Sequence, residues 1–349
     1  MFPFRVLNQE AVQENLDMKS CLDIVERAYR LKDENEATLF PMVFHEFEPG
    51  VADMDIKSGH LAGANIFGLK LVSWFGENPT KNLPAIIGTV MVLDSRTGRP
   101  IGIMSGEAIT LMRTGAAAGV GAKYFAREDS KVLLSVGSGH LGAYQLLATL
   151  MTLEKIEKVW VYNPRSTERA EIFCQSVKQK CMQLLQPYQT DRSYYEEMVR
   201  RINIPFEVVY DIEQATAEAD VINTATPSKQ SLLKKEWITE GTHITCLGAD
   251  MGGKQEIDEH IFANAKLFVD DITQAVNVGE TEIPVKKGIV QADQLTEIGS
   301  VIRGLRDGRT SPQEVTIFDS TGIALQDLLT AESILREAEK NGSGVVADI

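Results

Sequence analysis

An α/β fold built on a doubly wound parallel sheet, with a second, α+β domain ahead of it, is what this 349-residue sequence predicts. Three observations carry that reading. From residue 131 short β-branched runs alternate with helix-like stretches, the pattern of parallel strands joined by crossover helices. The first run leads directly into Gly137-Ser138-Gly139-His140-Leu141-Gly142 and then into an amphipathic stretch. The segment before residue 128 lacks this alternation and reads as an early helix followed by turn-linked extended pieces.

Length agrees, since about 150 residues per domain gives roughly two domains. Hydrophobic residues at 44% and charged residues at 24% are those of a globular chain, which argues against disorder, a fibrous repeat or a membrane bundle. A net charge of -14 repels phosphate backbones and anionic lipid, so nucleic acid and membranes are not expected as partners. The start, MFPFRVLNQEAVQENLDM, lacks the basic and apolar regions of a signal peptide, and a cytoplasmic location is expected. Cys21, Cys174, Cys181 and Cys246 show no CxxC spacing and no adjacent histidine pair, so reduced thiols and no bound metal are expected.

The elements follow in order. A helix is expected over 18–32, then extended pieces FGLKLVSWF and TVMVLDS joined by the turns NPTKN and RTGRP. Six strand runs come next: KVLLSV (131–136), KVWVYN (158–163), FEVVY (206–210), DVINTAT (220–226), HITCLGAD (243–250) and KLFVDD (266–271). Six is the count of a complete doubly wound sheet. A further strand, EVTIFDS (314–320), leads into a long helix from Ala324 to about Lys340 that is expected to return to the first domain. Residues 171–203 hold more helix than one crossover needs, broken at Pro187, and read as a peripheral insertion. The expected domains are 1–127 plus 321–349, and 128–320.

In Gly137–Gly142 the first glycine permits a tight turn, the second admits a pyrophosphate to the backbone, and the third allows close packing of helix on strand. With a strand before and a helix after, a Rossmann dinucleotide-binding turn is expected, the competing reading being a glycine-rich turn without a ligand. At the end of the next strand, where an NAD-selective fold offers a carboxylate to the ribose, the chain has Asn163, Pro164, Arg165, Ser166 and Thr167. An arginine with two hydroxyls suits a 2′-phosphate, which favours NADP(H) while NAD(H) stays open. The competing reading is a surface arginine and a helix-capping Ser166 or Thr167.

Lys70 interrupts the apolar run Phe67–Trp74, so its ammonium either reaches solvent at an edge or is buried against a partner or bound anion. Arg113 lies in a helix rich in small residues, where an ion pair and a substrate carboxylate are equally suitable partners. Asp250, at the end of HITCLGAD, is placed to face a nicotinamide as proton donor or acceptor, or else to cap a following helix. Of the five histidines, His60 alone is retained as a site candidate outside the glycine turn that holds His140.

These residues resemble the ornithine cyclodeaminase/mu-crystallin family, in wording nearest its archaeal-type alanine dehydrogenase branch. The likeness rests on Leu69-Lys70 before Gly76-Glu77-Asn78-Pro79, Met112-Arg113-Thr114-Gly115, Thr226-Pro227-Ser228, Gly248-Ala249-Asp250 with Gly253-Lys254-Gln255-Glu256, Val269-Asp270-Asp271, and Phe318-Asp319-Ser320-Thr321-Gly322. The resemblance implies a Rossmann domain inserted in a substrate and dimerisation domain, a homodimer, and hydride transfer between nicotinamide and the α-carbon of an amino or imino acid. It implies that Lys70 and Arg113 hold or polarise the substrate, that Asp250 is the general acid/base, and that Thr224, Thr226, Lys254, Ser320 and Gly322 lie near the cofactor. The chain departs from the family where Met42 replaces a cationic substrate ligand, and Asp53-Met54-Asp55-Ile56-Lys57-Ser58-Gly59-His60 replaces another arginine. Asp55 there favours a substrate with a cationic group unless it pairs with Lys57, which itself stands as a compensating cation. Amino-acid dehydrogenase or imine reductase is the expected activity. A cyclodeaminase-type lyase acting on a diamino acid is the alternative, followed by a non-enzymatic ligand-binding role. The main expectation is that Lys70, Arg113 and Asp250 meet over the nicotinamide.

Overall fold

A computed structural model describes residues 2–349, which divide into two compact units: residues 2–113 with 323–349, and residues 114–322. The first unit is an eight-stranded, mainly antiparallel sheet. Its strands run in the order Val345–Asp348, Pro3–Leu7, Pro100–Ser105, Ile86–Asp94, Ile66–Phe75, Ala52–Leu61 and Ala37–Leu39, with Val43–Glu48 also on Ala52–Leu61. Two helices, Met18–Asp33 and Ala324–Asn341, pack together beside it. Met18–Asp33 starts where the Asp17 side chain accepts from the Ser20 amide, an N-cap that fixes its first turn.

Because strand side chains alternate, residues directly opposite one another share a face. One face carries Asp55, Lys57, Val72, Lys70, Val90 and Met104, with Lys57 directly opposite Lys70. The returning helix Ala324–Asn341 covers this face. Glycines let it approach: a Cβ on Gly68 would stand 2.8 Å from Leu328 Cδ2, and one on Gly102 would stand 2.3 Å from Leu335 Cδ2. Leu325, Leu328 and Leu335 are buried in consequence. Ala324–Asn341 thus lies within the first unit.

The second unit is an eight-stranded, all-parallel sheet, ordered Phe206–Val208, Lys158–Tyr162, Val132–Val136, Val221–Thr224, His243–Cys246, Val315–Asp319, Ala265–Val269 and Thr296–Glu297. This differs from the six-strand expectation in one important way. The EVTIFDS strand lies inside the sheet, between His243–Cys246 and Ala265–Val269. Its buried residues Thr316, Ile317, Phe318 and Asp319 fit a central strand. The strand ends also fall short of the sequence runs: HITCLGAD stops at Cys246 and DVINTAT at Thr224, which leaves Leu247–Asp250 and Ala225–Thr226 as turns. The 171–203 segment forms the end of helix Thr167–Leu184, a single-turn 3₁₀ segment at Gln186–Thr190 with Pro187 near its start, and helix Arg192–Ile202.

A parallel sheet places every strand's carboxyl end on one edge, where ligands bind. Backbone bonds continue the ladder into the turns there: Gly137 N donates to Tyr162 O (2.8 Å), Ala225 N to Val136 O (2.9 Å), Leu247 N to Thr224 O (2.9 Å) and Ser320 N to Cys246 O (3.0 Å). No helix among the described residues is long and apolar enough to cross a membrane.

Candidate active site

In the second unit the glycine turn has the shape a dinucleotide needs. Gly137 adopts φ 115°, closed to other residues, and a Cβ on it would stand 2.7 Å from Ala225 O. Around Gly139 a Cβ would meet nothing within 4 Å, so the backbone there is open to a ligand. The helix that follows, Gly142–Thr152, has no side chain capping its start; Gly142 N and Tyr144 N donate to Gly139 O and Leu141 O, and the Ala143 amide remains for an anion. Gly142 permits close packing, but a Cβ there would meet Phe173 Cζ at 2.7 Å, so its neighbour is the next helix and not the strand expected from the sequence. Ser138, His140 and Leu141 are part-exposed or exposed in this turn. These features fit a bound nicotinamide dinucleotide.

The 163–167 turn is largely committed to itself. Asn163 Nδ2 donates to Ser138 Oγ (2.7 Å), and its Oδ1 accepts from the amides of Arg165 (2.9 Å) and Ser166 (3.1 Å). Ser166 is the N-cap of Thr167–Leu184, accepting from Arg169 N at 3.2 Å, so the capping reading holds for that residue. Arg165 and Thr167 are exposed.

Other expected cofactor residues point inward. Thr224 is fully buried and donates through Oγ1 to Glu256 Oε2 (2.7 Å), which takes it away from a ligand. Thr226 N donates to Glu256 Oε1 (2.5 Å). Asp270 gathers the 320–322 turn by accepting from Ser320 Oγ (3.2 Å), Thr321 Oγ1 (2.9 Å) and Gly322 N (2.7 Å). Asp250 is exposed and accepts from Lys254 Nζ at 2.5 Å. No helix follows Asp250, since the next element is the strand Gln255–Ile257, and the capping alternative for it fails.

In the first unit the two cations come together. Lys70 Nζ lies 2.9 Å and Arg113 Nε 3.1 Å from the same oxygen, Oδ1 of Asp327, and all three side chains are buried. Asp327 Oδ2 is buried without a hydrogen-bond partner. Gln326 braces the group, accepting from Arg113 Nη1 (3.3 Å) and donating to Tyr29 OH (2.7 Å). Burial lowers the Lys70 pKa to about 8, the Arg113 charge adds to that, and Asp327 opposes it. Burial alone would raise Asp327, but Arg113 and Lys70 outweigh it and hold the carboxyl below its usual range. Lys57 contributes in the same sense to both groups.

Asp55 and Lys57 share the Lys70 face. His60 does not. It pairs with Phe67, and standing three residues beyond Lys57 puts it on the opposite face of the sheet, apart from the other candidates. Met42 is exposed, between strands. The residue missing from the sequence reading is Asp327. It looked like an ordinary first-turn acid of a helix, favoured there by the helix dipole.

A parallel doubly wound sheet with an open glycine turn at its carboxyl edge makes this a Rossmann-type dinucleotide-binding protein, whose first unit buries two cations on one carboxylate. The chain belongs to the ornithine cyclodeaminase/mu-crystallin family, whose model matches residues 4–186 and 183–342. It is 36% identical over 340 residues to the alanine dehydrogenase of Archaeoglobus fulgidus, covering 97% of this chain and 96% of the relative. Among solved structures it is similar to an archaeal alanine dehydrogenase dimer with bound NAD, at TM-score 0.87 and 35% identity over 99% of each chain. It is also similar to the Thermococcus litoralis Delta(1)-pyrroline-2-carboxylate reductase in complex with NADH and L-proline, at TM-score 0.85 and 29% identity over 98% of this chain and 99% of that one.

Proposed function

We propose that this protein is a nicotinamide-dependent oxidoreductase that interconverts an amino acid and its imino acid at the α-carbon. The observation that carries the reading is the buried Lys70–Arg113–Asp327 group. Two cations share one carboxylate, so one positive charge is left over to complement a substrate carboxylate. Relatives named for alanine and for pyrroline-2-carboxylate support that substrate class.

When bound, the nicotinamide gives or takes the hydride. Gly137, Ser138, Gly139, His140, Leu141 and Gly142 would hold its pyrophosphate, with Asn163, Arg165 and Thr167 at the ribose. Lys70 and Arg113 neutralise the substrate carboxylate and orient the α-carbon. Asp250 takes or gives the proton at the substrate nitrogen, with Lys254 Nζ donating to its carboxylate. An NADP(H) preference rests on Arg165 and on the lack of an acid between 163 and 167; NAD and NADH in the neighbouring structures make NAD(H) the alternative. The protein acts as a homodimer in this reading. Exposed Phe47, Leu71, Phe75 and Ile87 support that, with Leu71, Phe75 and Ile87 on the sheet face away from Lys70, as does the dimer of the archaeal neighbour.

The test is a screen of both cofactors against α-keto acids with ammonia and against cyclic imino acids, read by nicotinamide absorbance. Turnover with one of them is expected, and none across the panel refutes the reading. Asp55 on the Lys70 face favours one other outcome, cyclodeamination of a diamino acid. Ammonia release from ornithine or lysine with no net cofactor turnover would identify it.

A further inference from the structure

Glu256 lies in Gln255–Ile257, a strand that pairs with Lys229–Leu233 and stands outside the main sheet. Its carboxylate is fully buried and gathers three donors: Thr226 N at 2.5 Å on Oε1, and Thr224 Oγ1 at 2.7 Å and Gly248 N at 2.9 Å on Oε2. These donors belong to two turns, at the ends of Val221–Thr224 and His243–Cys246. The last backbone bond between those segments is Leu247 N to Thr224 O; among the described residues no backbone bond joins them beyond it. Past that rung Glu256 is the link. The turns also touch at Gly248, where a Cβ would stand 2.3 Å from Thr226 O and 2.6 Å from Glu256 Oε2. Asp250 is two residues further on.

We propose that Glu256 is a positioning residue of the active site: its buried carboxylate staples the 224–226 turn to the 247–250 turn and so sets where Asp250 stands. This rests on the role given to Asp250 above. Glu280 secures the staple from behind, accepting from Glu256 N (2.8 Å) and Ile257 N (2.7 Å). Burial together with the Glu256 charge pushes Glu280 well above the usual carboxyl range. Burial raises Glu256 too, to about 7, while its donors at Thr224, Thr226 and Gly248 pull the other way, so the staple rests on the geometry of those three donors.

The decisive variant is Glu256→Gln in the full-length enzyme. An amide keeps the shape but turns one acceptor into a donor, and either orientation sets its NH₂ against a backbone N–H. With Asp250 displaced by a fraction of an ångström to an ångström, kcat is expected to fall by at least about tenfold, with a smaller change in substrate KM. Hydrogen exchange at residues 247–252 is expected to accelerate. Gly248→Ala, whose Cβ would press on both Thr226 O and Glu256 Oε2 and so pry the same turns apart, is expected to do the same and decides the matter if Glu256→Gln does not fold. A folded Glu256→Gln with kcat within about twofold of wild type, or with exchange at 247–252 unchanged, overturns the proposal. Exchange needs no substrate: if the wild type turns over no imino acid, the functional reading fails while the exchange measurement still decides the staple.

Discussion

Replacing Asp327 by Asn removes the one anion that Lys70 and Arg113 share, while keeping the side-chain volume. Breaking a buried ion pair by removing one partner costs about 3–5 kcal/mol, because the remaining charge stays desolvated. Here two cations are left facing one another, so the upper part of that range applies. With an unfolding entropy of about 2.1 cal/mol/K per residue, this corresponds to a melting temperature lower by roughly 5–7 °C. The second consequence concerns Lys70, whose pKa in the wild type is already lowered to about 8 by burial and by Arg113, with Asp327 opposing. A lysine lowered in this way carries its charge below that value and loses it above. In the wild type, kcat/KM for a carboxylate substrate is therefore expected to fall as pH rises through about 8. In Asp327→Asn the opposing contribution is gone, and the descending limb moves to lower pH. Differential scanning calorimetry and a pH series of kcat/KM test both parts. A variant with an unchanged melting temperature and an unchanged limb would refute the role given to Asp327.

Asp250→Asn is expected to lower kcat by about 10²–10⁴-fold with cofactor affinity retained, measured by steady-state kinetics and nicotinamide fluorescence titration; near-wild-type kcat would remove Asp250 from proton transfer. Gly137→Ala is expected to lose cofactor binding and stability together, since it needs φ 115° and its Cβ would lie 2.7 Å from Ala225 O; a normal titration would argue against the turn geometry. Arg165→Ala is expected to lower kcat/KM with NADPH by about tenfold while leaving NADH nearly unchanged, and an equal effect on both would end the 2′-phosphate reading. Gly68→Ala is expected to destabilise by about 1–3 kcal/mol in urea unfolding, because its Cβ would stand 2.8 Å from Leu328 Cδ2 and 2.2 Å from Met91 O; a neutral result would mean the helix can shift freely.

The features legible in the sequence were those written in local pattern. Alternating strand and helix runs, the Gly137–Gly142 turn and the returning helix after Ala324 each follow from periodicity or from residues adjacent in the chain. Features that depend on assembly were not legible. The place of Val315–Asp319 in the middle of the sheet is set by which crossover returns where, and the run EVTIFDS reads the same at an edge. The carboxylate partner of Lys70 lies 257 residues away, on a helix whose acids resemble any solvated face. The family resemblance places Thr224 near the cofactor. The buried Glu256 that claims its hydroxyl comes from a strand outside the main sheet. His60 is the instructive case. Once 52–61 is recognised as one unbroken strand, a spacing of three from Lys57 already separates their faces, so the signal was present but unused.

The placement of Asp327 also bears on selectivity. A buried lysine and arginine side by side would repel one another and shed a proton from the lysine in the absence of substrate. One shared carboxylate oxygen keeps both charged and oriented at rest, at the expense of an unpartnered Oδ2. It also reduces the positive charge of the group from two to one. A substrate bearing a single carboxylate then completes neutrality, whereas an uncharged imine leaves the excess charge buried and uncompensated. Asp55 and Lys57, on the same face, add one charge of each sign and so leave that balance unaltered while offering separate contacts to the rest of the substrate. In the proposed reading, selection for an α-carboxylate comes from the helix that packing of Leu325, Leu328 and Leu335 holds against the sheet, and weakening that packing should weaken carboxylate recognition along with stability.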